Sequence, residues 1–382
     1  MRIIILDHEP FHDRKINHYY IHDFLSRGYQ VEYWALCDIL PYMKDAPFTY
    51  RMEQDYVKYL LSMGDLYSRL NALDPKNDLL IVEIWFLYST KNIFKAIADR
   101  GMRWIRIDYY LNPTKVLETP QSLSSRFKDL TIGSFFKKIV NWGFNRISGQ
   151  HYGVPDIFYI TGQSQQYMPR AKQVVSLDYF DVIEYHKKKS EAPLFDYPYM
   201  VFLDIMLLDH PDIVMFGMKN RISGSAYYEA INQVFDQIEK CTGLPIIIAS
   251  HPKARYTDEF GQRVVVRNKT ASLVIHSDLV LTHGSLSVSY ALLSKKPIVY
   301  LYLEKFFFEN EFLRMIYNSM LRAKELFGAK VISENFYCKD LQSGVDLEKY
   351  SNYLSNFYCK SDKKSDNFNV INSGILDLMN ED

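Results

Sequence analysis

Two short segments of the second half combine imidazole, hydroxyl and glycine in a spacing that could hold a phosphate: Ser250-His251-Pro252-Lys253 and Thr282-His283-Gly284-Ser285-Leu286-Ser287. In the second segment, Gly and small hydroxyl residues stand between a strand pattern and a helix pattern. Backbone N–H groups, the positive helix end and the Ser hydroxyls would then converge on one point, as an anion requires. Ser285 and Ser287 are equally suited to plain N-capping. His251 can donate to a phosphate oxygen or pair with a leaving group, and it can also simply close a strand end.

The first half offers acids. Asp7, His8 and Glu9 follow the apolar run Ile3-Ile4-Ile5-Leu6, Glu83 interrupts Val82-Glu83-Ile84-Trp85, and Asp108 ends Arg106-Ile107-Asp108. A carboxylate costs several kcal/mol to bury unpaired, so each should sit at a strand end, be partnered or serve as a base. Asp7, Glu9, Glu83 and Asp108 are the candidate catalytic residues; ion pairs to Arg106 or Lys91 are the competing reading for the last two. His8-Glu9-Pro10-Phe11-His12 matches H-E-x-x-H in letters, but zinc binding needs both histidines on one helix face, and Pro10 opposes a helix interior there.

These residues need strands that end at a common edge. The first half alternates β-branched runs (3–6, 31–36, 79–84, 104–107 and 156–160) with helical patterns at 56–70 and 90–100, the form of a parallel sheet covered by helices. A polar break, His186 to Pro198, separates this half from a second series of strands at 199–204, 246–249, 264–266, 279–282 and 298–301, with helices at 227–240, 271–276 and 287–293. The expected architecture is α/β: two Rossmann-like domains, 1–190 and 191–382, facing each other across a cleft lined by the carboxyl ends of their strands. The polar stretch 360–368 reads as a linker to a short C-terminal helix within the second domain.

Composition narrows the function. Lys+Arg and Asp+Glu both number 45, so no net field favours nucleic acid. Four cysteines without C-x-x-C spacing make no disulfide framework and suit a reducing compartment. The apolar start is too short for a signal peptide and no run is long enough to span a bilayer, so a cytoplasmic protein is expected. The basic, aromatic stretch 126–146 could dock peripherally on the inner face of the cytoplasmic membrane or on a lipid-linked acceptor, or pack its aromatics inward with lysines outside. No D-x-D pair, P-loop or G-x-G-x-x-G fingerprint occurs, which disfavours a divalent-metal transferase, an NTPase or a dehydrogenase; neither metal nor cofactor is expected.

His251-Pro252 followed by Ser285 and Ser287 resembles the His-Pro and Ser/Ser motifs of bacterial GT-B transferases of surface-polysaccharide synthesis, including polysialyltransferase-like enzymes and, more distantly, teichoic-acid glycerophosphotransferases. Phe202-Leu203-Asp204 with Asp209 to Asp212, and Thr270 to Asp278, look like flanking elements of that group. The resemblance covers about residues 199–303. It implies a GT-B-like fold and donor-binding roles for His251, Ser285 and Ser287, and with them Pro252, Lys253, Thr282, His283 and Gly284 of the same two loops are expected to be donor- or phosphate-binding. It further implies a glycosyltransferase moving a sugar from a nucleotide donor, a CMP-activated acidic sugar above all, onto a glycan or glycolipid acceptor. A UDP-sugar or CDP-glycerol transferase, a nucleotide-sugar epimerase of the same fold and a non-catalytic assembly partner are the alternatives.

Overall fold

Strands that read as continuous apolar runs, rather than alternating ones, belong in sheets covered on both faces. The computed structural model describes residues 1–43, 51–109, 152–163, 170–208, 222–308, 311–341, 344–360 and 366–381, and it contains two such sheets. They fall in separate units, Met1–Leu177 with Lys360–Asp382, and Asp178–Cys359. The first boundary lies at 177/178 rather than 190/191, because the helix Phe180–Lys188 packs in the second unit, with Val182 in that unit's core.

In the first unit, β1 (Arg2–Asp7), β2 (Gln30–Ala35), β3 (Val57–Tyr59), β4 (Asp78–Glu83), β5 (Trp104–Asp108), β6 (Ile157–Thr161) and β7 (Gln173–Leu177) form one parallel sheet of order β3-β2-β1-β4-β5-β6-β7. The helical expectation for 56–70 holds only from Met63 onward. Val57 to Tyr59 instead adds an edge strand beside Tyr33 to Ala35. β7 is half-buried and lacks an apolar run, so its sequence does not announce it. The final helix, Asn367–Asn380, belongs to this unit and not to the second: Phe368 packs on Phe24, and the Tyr29 hydroxyl donates to Asn372 Oδ1 at 2.8 Å. Gly374 permits that docking, since a Cβ there would stand 2.3 Å from the Tyr159 hydroxyl.

The second unit builds β8 (Met200–Leu203), β9 (Ile246–Ser250), β10 (Val265–Arg267), β11 (Leu279–Thr282), β12 (Ile298–Leu301) and β13 (Lys330–Ile332) into a parallel sheet of order β10-β9-β8-β11-β12-β13. The helix Gly224–Thr242 buries Tyr227, Ile231, Val234, Phe235 and Ile238 at helical spacing and stops at Gly243. Cys241, in its last turn, is disulfide-bonded to Cys338, 97 residues on, a pairing that departs from the expectation of reduced cysteines.

Both sheets have a point where the strand order reverses: between β1 and β4 in the first, and between β8 and β11 in the second. Loops diverge there to opposite faces and leave a crevice at the strands' carboxyl ends.

Candidate functional site

At the reversal point of the second sheet, Asp204 directly follows β8, with β9 on one side of that strand and β11 on the other. Leu203 pairs with Ala249 and with Thr282. Asp204 is buried, and its carboxylate is fully used: Oδ2 accepts the His251 backbone N–H at 3.0 Å and the Tyr256 hydroxyl at 2.7 Å, and Oδ1 accepts the Met206 N–H at 2.9 Å. Burial raises its pKa against those donors. Asp204 thereby fixes the turn that carries His251, Pro252 and Lys253. The His251 Nδ1 accepts the Lys253 N–H at 3.2 Å, which places the proton of the neutral ring on Nε2. The ring itself is half-buried, and Pro252 and Lys253 are exposed.

The β11 loop differs from a plain anion cradle. Thr282, fully buried, donates to the Leu203 carbonyl at 3.1 Å, and its Oγ1 accepts the N–H groups of Gly284 and Ser285, both at 3.0 Å. Ser285 Oγ accepts the Ser287 N–H at 3.2 Å. The backbone donors expected to face a phosphate are thus already engaged by side-chain oxygens. Ser287 stands at the N-cap position of the helix Val288–Leu293 without capping it through its side chain, so the plain capping reading fails for Ser287. Gly284 adopts φ +147°, a conformation that favours glycine, and a Cβ there would stand 3.2 Å from Ile316 Cγ2.

His283 was expected among the donor-binding residues, and the structure turns it into the core. It is 1% exposed; Nδ1 donates to the Leu301 carbonyl at 2.6 Å and Nε2 accepts from the Tyr227 hydroxyl at 2.8 Å. Burial lowers its pKa to about 4, so it stays neutral and positions strands β11 and β12. Thr282 likewise shapes the loop from inside. Asp209 to Asp212 lie outside the described residues, as does the stretch 126–146.

At the reversal point of the first sheet the four candidate acids come to adjacent strand ends, β1, β4 and β5, with Asp7 directly opposite Glu83. Their electrostatics then separate them. Asp7 is fully buried, and its Oδ2 meets Lys15 Nζ at 2.7 Å and the Tyr19 hydroxyl at 2.5 Å. Glu9 Oε2 meets the same Lys15 Nζ at 2.7 Å. Burial pushes both pKa values up, but Lys15 and the neighbouring donors outweigh it and hold both below the usual carboxylate range. Such carboxylates are weak bases, so Asp7 and Glu9 hold the loop together and do not suit proton abstraction. Glu83 is the opposite case: burial, with the charges of Asp108 and Asp7 adding to it, pushes it up to about 8 against the opposing pull of Arg106. Its Oε1 accepts the Ile107 N–H at 3.0 Å, and Arg106 Nε stands 4.0 Å from Oε2. The ion pair with Arg106 is therefore present but loose, and Lys91 lies over the Tyr88 ring instead. Asp108, half-buried, ends β5 on the same edge.

The sequence places His8 with Asp7 and Glu9 in the loop after β1, where acceptor or base groups are expected, though only the acids stand among the candidate catalytic residues. The His8 Nδ1 donates to the Glu83 carbonyl at 2.5 Å, which leaves the Nε2 lone pair as the basic position of the neutral ring. The only signal was its place immediately after β1. The stretch His8–His12 is not helical, since the next helix begins at Asp13, so the geometry of a helical zinc motif is absent. Among the described residues no group of three or more His, Cys, Asp or Glu could hold a metal ion, and no helix is long and apolar enough to cross a membrane.

No family model matches the chain, and no curated protein matches it. Solved structures similar to it include Arabidopsis thaliana UGT89C1 (10% identity, 99% of each chain, TM-score 0.49) and Acinetobacter baumannii MurG (11% identity, 99% of this chain and 98% of that one, TM-score 0.42). A third is a UDP-GlcNAc 2-epimerase of Neisseria meningitidis bound to UDP-GlcNAc (10% identity, 99% of this chain and 100% of that one, TM-score 0.44). Likeness at this level assigns no substrate. The two parallel-sheet α/β units themselves fit the GT-B-like fold expected from the sequence.

Proposed function

We propose that the chain is a glycosyltransferase whose second unit binds a nucleotide-sugar donor and whose first unit binds the acceptor and takes its proton. One observation carries this reading: each sheet gathers its polar chemistry at its own reversal point, acids and an imidazole in the first, hydroxyls and an imidazole in the second. On the donor side, the Ser285 and Ser287 hydroxyls and the His251 imidazole would meet the phosphate, with Lys253 opposing charge that develops on the leaving nucleotide. His251 and Ser285 rise from strands on either side of β8, roughly 10 Å apart at adjacent-strand spacing, which suits a nucleotide better than a lone phosphate. The motif resemblance supports a CMP-linked acidic sugar as donor and a surface glycan as acceptor.

On the acceptor side, His8 Nε2 would receive the proton of the acceptor hydroxyl as that oxygen attacks the anomeric carbon and the bond to the nucleotide phosphate breaks. The Glu83 carbonyl holds the ring for this, and the Lys15, Asp7 and Glu9 network holds the loop. The Glu83 carboxyl, pushed up to about 8 by burial, would add no further negative charge to that edge at neutral pH.

A thermal-shift screen with CMP, CDP, UDP and GDP tests the donor assignment, because a ligand that binds only the folded state stabilises it by mass action. Stabilisation by CMP that disappears in a Ser285→Ala, Ser287→Ala double variant is the expected result. Full stabilisation of that variant, or of His251→Ala, defeats the donor assignment.

A further inference from the structure

The loop after β4 carries an exposed tryptophan that the reading above does not use. Trp85 is 49% exposed, whereas Trp34 and Trp104 are buried. Exposed indole rings usually move freely; this one is stacked, and the backbone that carries it is held on both sides. Its ring stacks on Tyr42 at 4.9 Å between centroids and 9° between planes. Its backbone N–H donates to the Tyr42 hydroxyl at 3.2 Å. Its carbonyl accepts the hydroxyl of the buried Thr90 at 2.7 Å. His8 lies beside both rings, 5.7 Å from Trp85 and 6.2 Å from Tyr42. Three residues on, the exposed Tyr88 ring is already covered by the Lys91 ammonium at 3.8 Å.

We infer that Trp85, held on Tyr42, is a stacking platform for a pyranose ring of the acceptor glycan. A platform of this kind is apolar in the plane and polar at its rim, where the His8 imidazole and the carboxyl end of β4 lie. A pyranose matches both: its axial C–H bonds make an apolar face, and its equatorial hydroxyls project from the edge. Stacking on Trp85 would bring a ring hydroxyl toward His8, so the platform selects ring orientation as well as supplying area. The position has low ordering cost, because the indole is already immobilised before the ligand arrives.

This inference rests on the reading of the first unit as the acceptor side, and it is tested without turnover or donor. Saturation-transfer NMR on the full chain with maltose, cellobiose, lactose and di-N-acetylchitobiose as probes reads contact between protein protons and one face of the sugar. The wild type should transfer saturation to ring C–H protons of at least one probe. Trp85→Ala should weaken that binding by roughly tenfold, the effect of uncovering part of an indole face, and Trp85→Phe should retain most of it. Trp85→Phe should unfold near the wild-type temperature and Trp85→Ala slightly below it, since the Ala variant loses the stack on Tyr42. No transfer to any probe in the wild type, equal affinity in Trp85→Ala, or transfer through Trp85 to cytidine and not to sugars overturns the inference. The nucleotide screen reports separately on the second unit, so a failed platform with intact nucleotide binding is distinguishable from a failed transferase assignment.

Discussion

Replacing Glu83 by Gln tests the electrostatics of the first unit in one step. Burial holds the Glu83 carboxyl up at about 8 from an ordinary value of 4.5. The folded chain therefore keeps a proton through a pH range in which the unfolded chain has released it. Stability must fall as pH rises from about 4.5 to 8, by ~1.4 kcal/mol per pH unit, reaching about 5 kcal/mol in total. Gln at this position keeps the acceptor for the Ile107 N–H and has no charge to bury, so it lacks the slope. The stability difference, variant minus wild type, should widen by about 3 kcal/mol between pH 5 and pH 7. In melting temperature this is roughly 6–12 °C for a unit of this size. Thermal unfolding of both proteins in matched buffers at half-unit pH steps reads it directly. A difference that stays flat across that window refutes the buried, protonated Glu83. Activity in the same variant decides its role: turnover at pH 7 should survive within a few-fold, because Gln resembles the protonated acid and the proposed base is His8.

Asp181 repeats this logic in the second unit. Burial raises it to about 6, against hydrogen bonds from the Ser289 and Tyr290 hydroxyls. Its burial should lower stability as pH rises from about 4 to 6, by about 3 kcal/mol in all, and Asp181→Asn should remove that decline in chemical denaturation measured across the window. Asp204→Asn should weaken nucleotide-induced thermal stabilisation, since the carboxylate that holds the His251 turn accepts three hydrogen bonds, each worth about 1.5–3 kcal/mol to a charged group; unaltered nucleotide stabilisation would show that the turn needs no such anchor. Gly374→Ala should lower the first unit's stability by about 1–3 kcal/mol through overpacking against Tyr159, measured as an earlier denaturation midpoint.

Much of the fold was legible because the buried strands announce themselves. Ile3 to Leu6, Leu79 to Val82, Ile246 to Ala249 and Leu279 to Leu281 are apolar throughout, and a parallel sheet covered on both faces is the arrangement that buries such runs. Three of the four edge strands lack that signal. Val57 to Tyr59, Gln173 to Leu177 and Lys330 to Ile332 each face solvent on part of their surface, so their alternation is faint and their pairing is decided by neighbours distant in sequence. The return of Asn367–Asn380 to the first unit was hidden for the same reason: it depends on a gap at Gly374 that fits Tyr159, a match between residues over 200 positions apart.

The site divides along the same line. Its location followed from strand ends, because the chemistry-bearing residues come directly after apolar runs. The role of each residue did not follow, because role depends on what each carboxyl or imidazole meets across strands. Asp7 and Glu83 occupy facing positions at the ends of β1 and β4, and from sequence they were equivalent. Lys15 separates them: it reaches Asp7 and Glu9 from the next helix and does not pair with Glu83. One ammonium thus holds two acids ionised and leaves the third to the cost of burial, so the loop after β1 is rigid and charged while the end of β4 stays neutral. His8 lies where these two environments meet, with Nδ1 committed to the Glu83 carbonyl. The Glu83 carbonyl fixes the ring so that Nε2 carries the lone pair, the atom that would take the proton from a sugar hydroxyl in the proposed transfer.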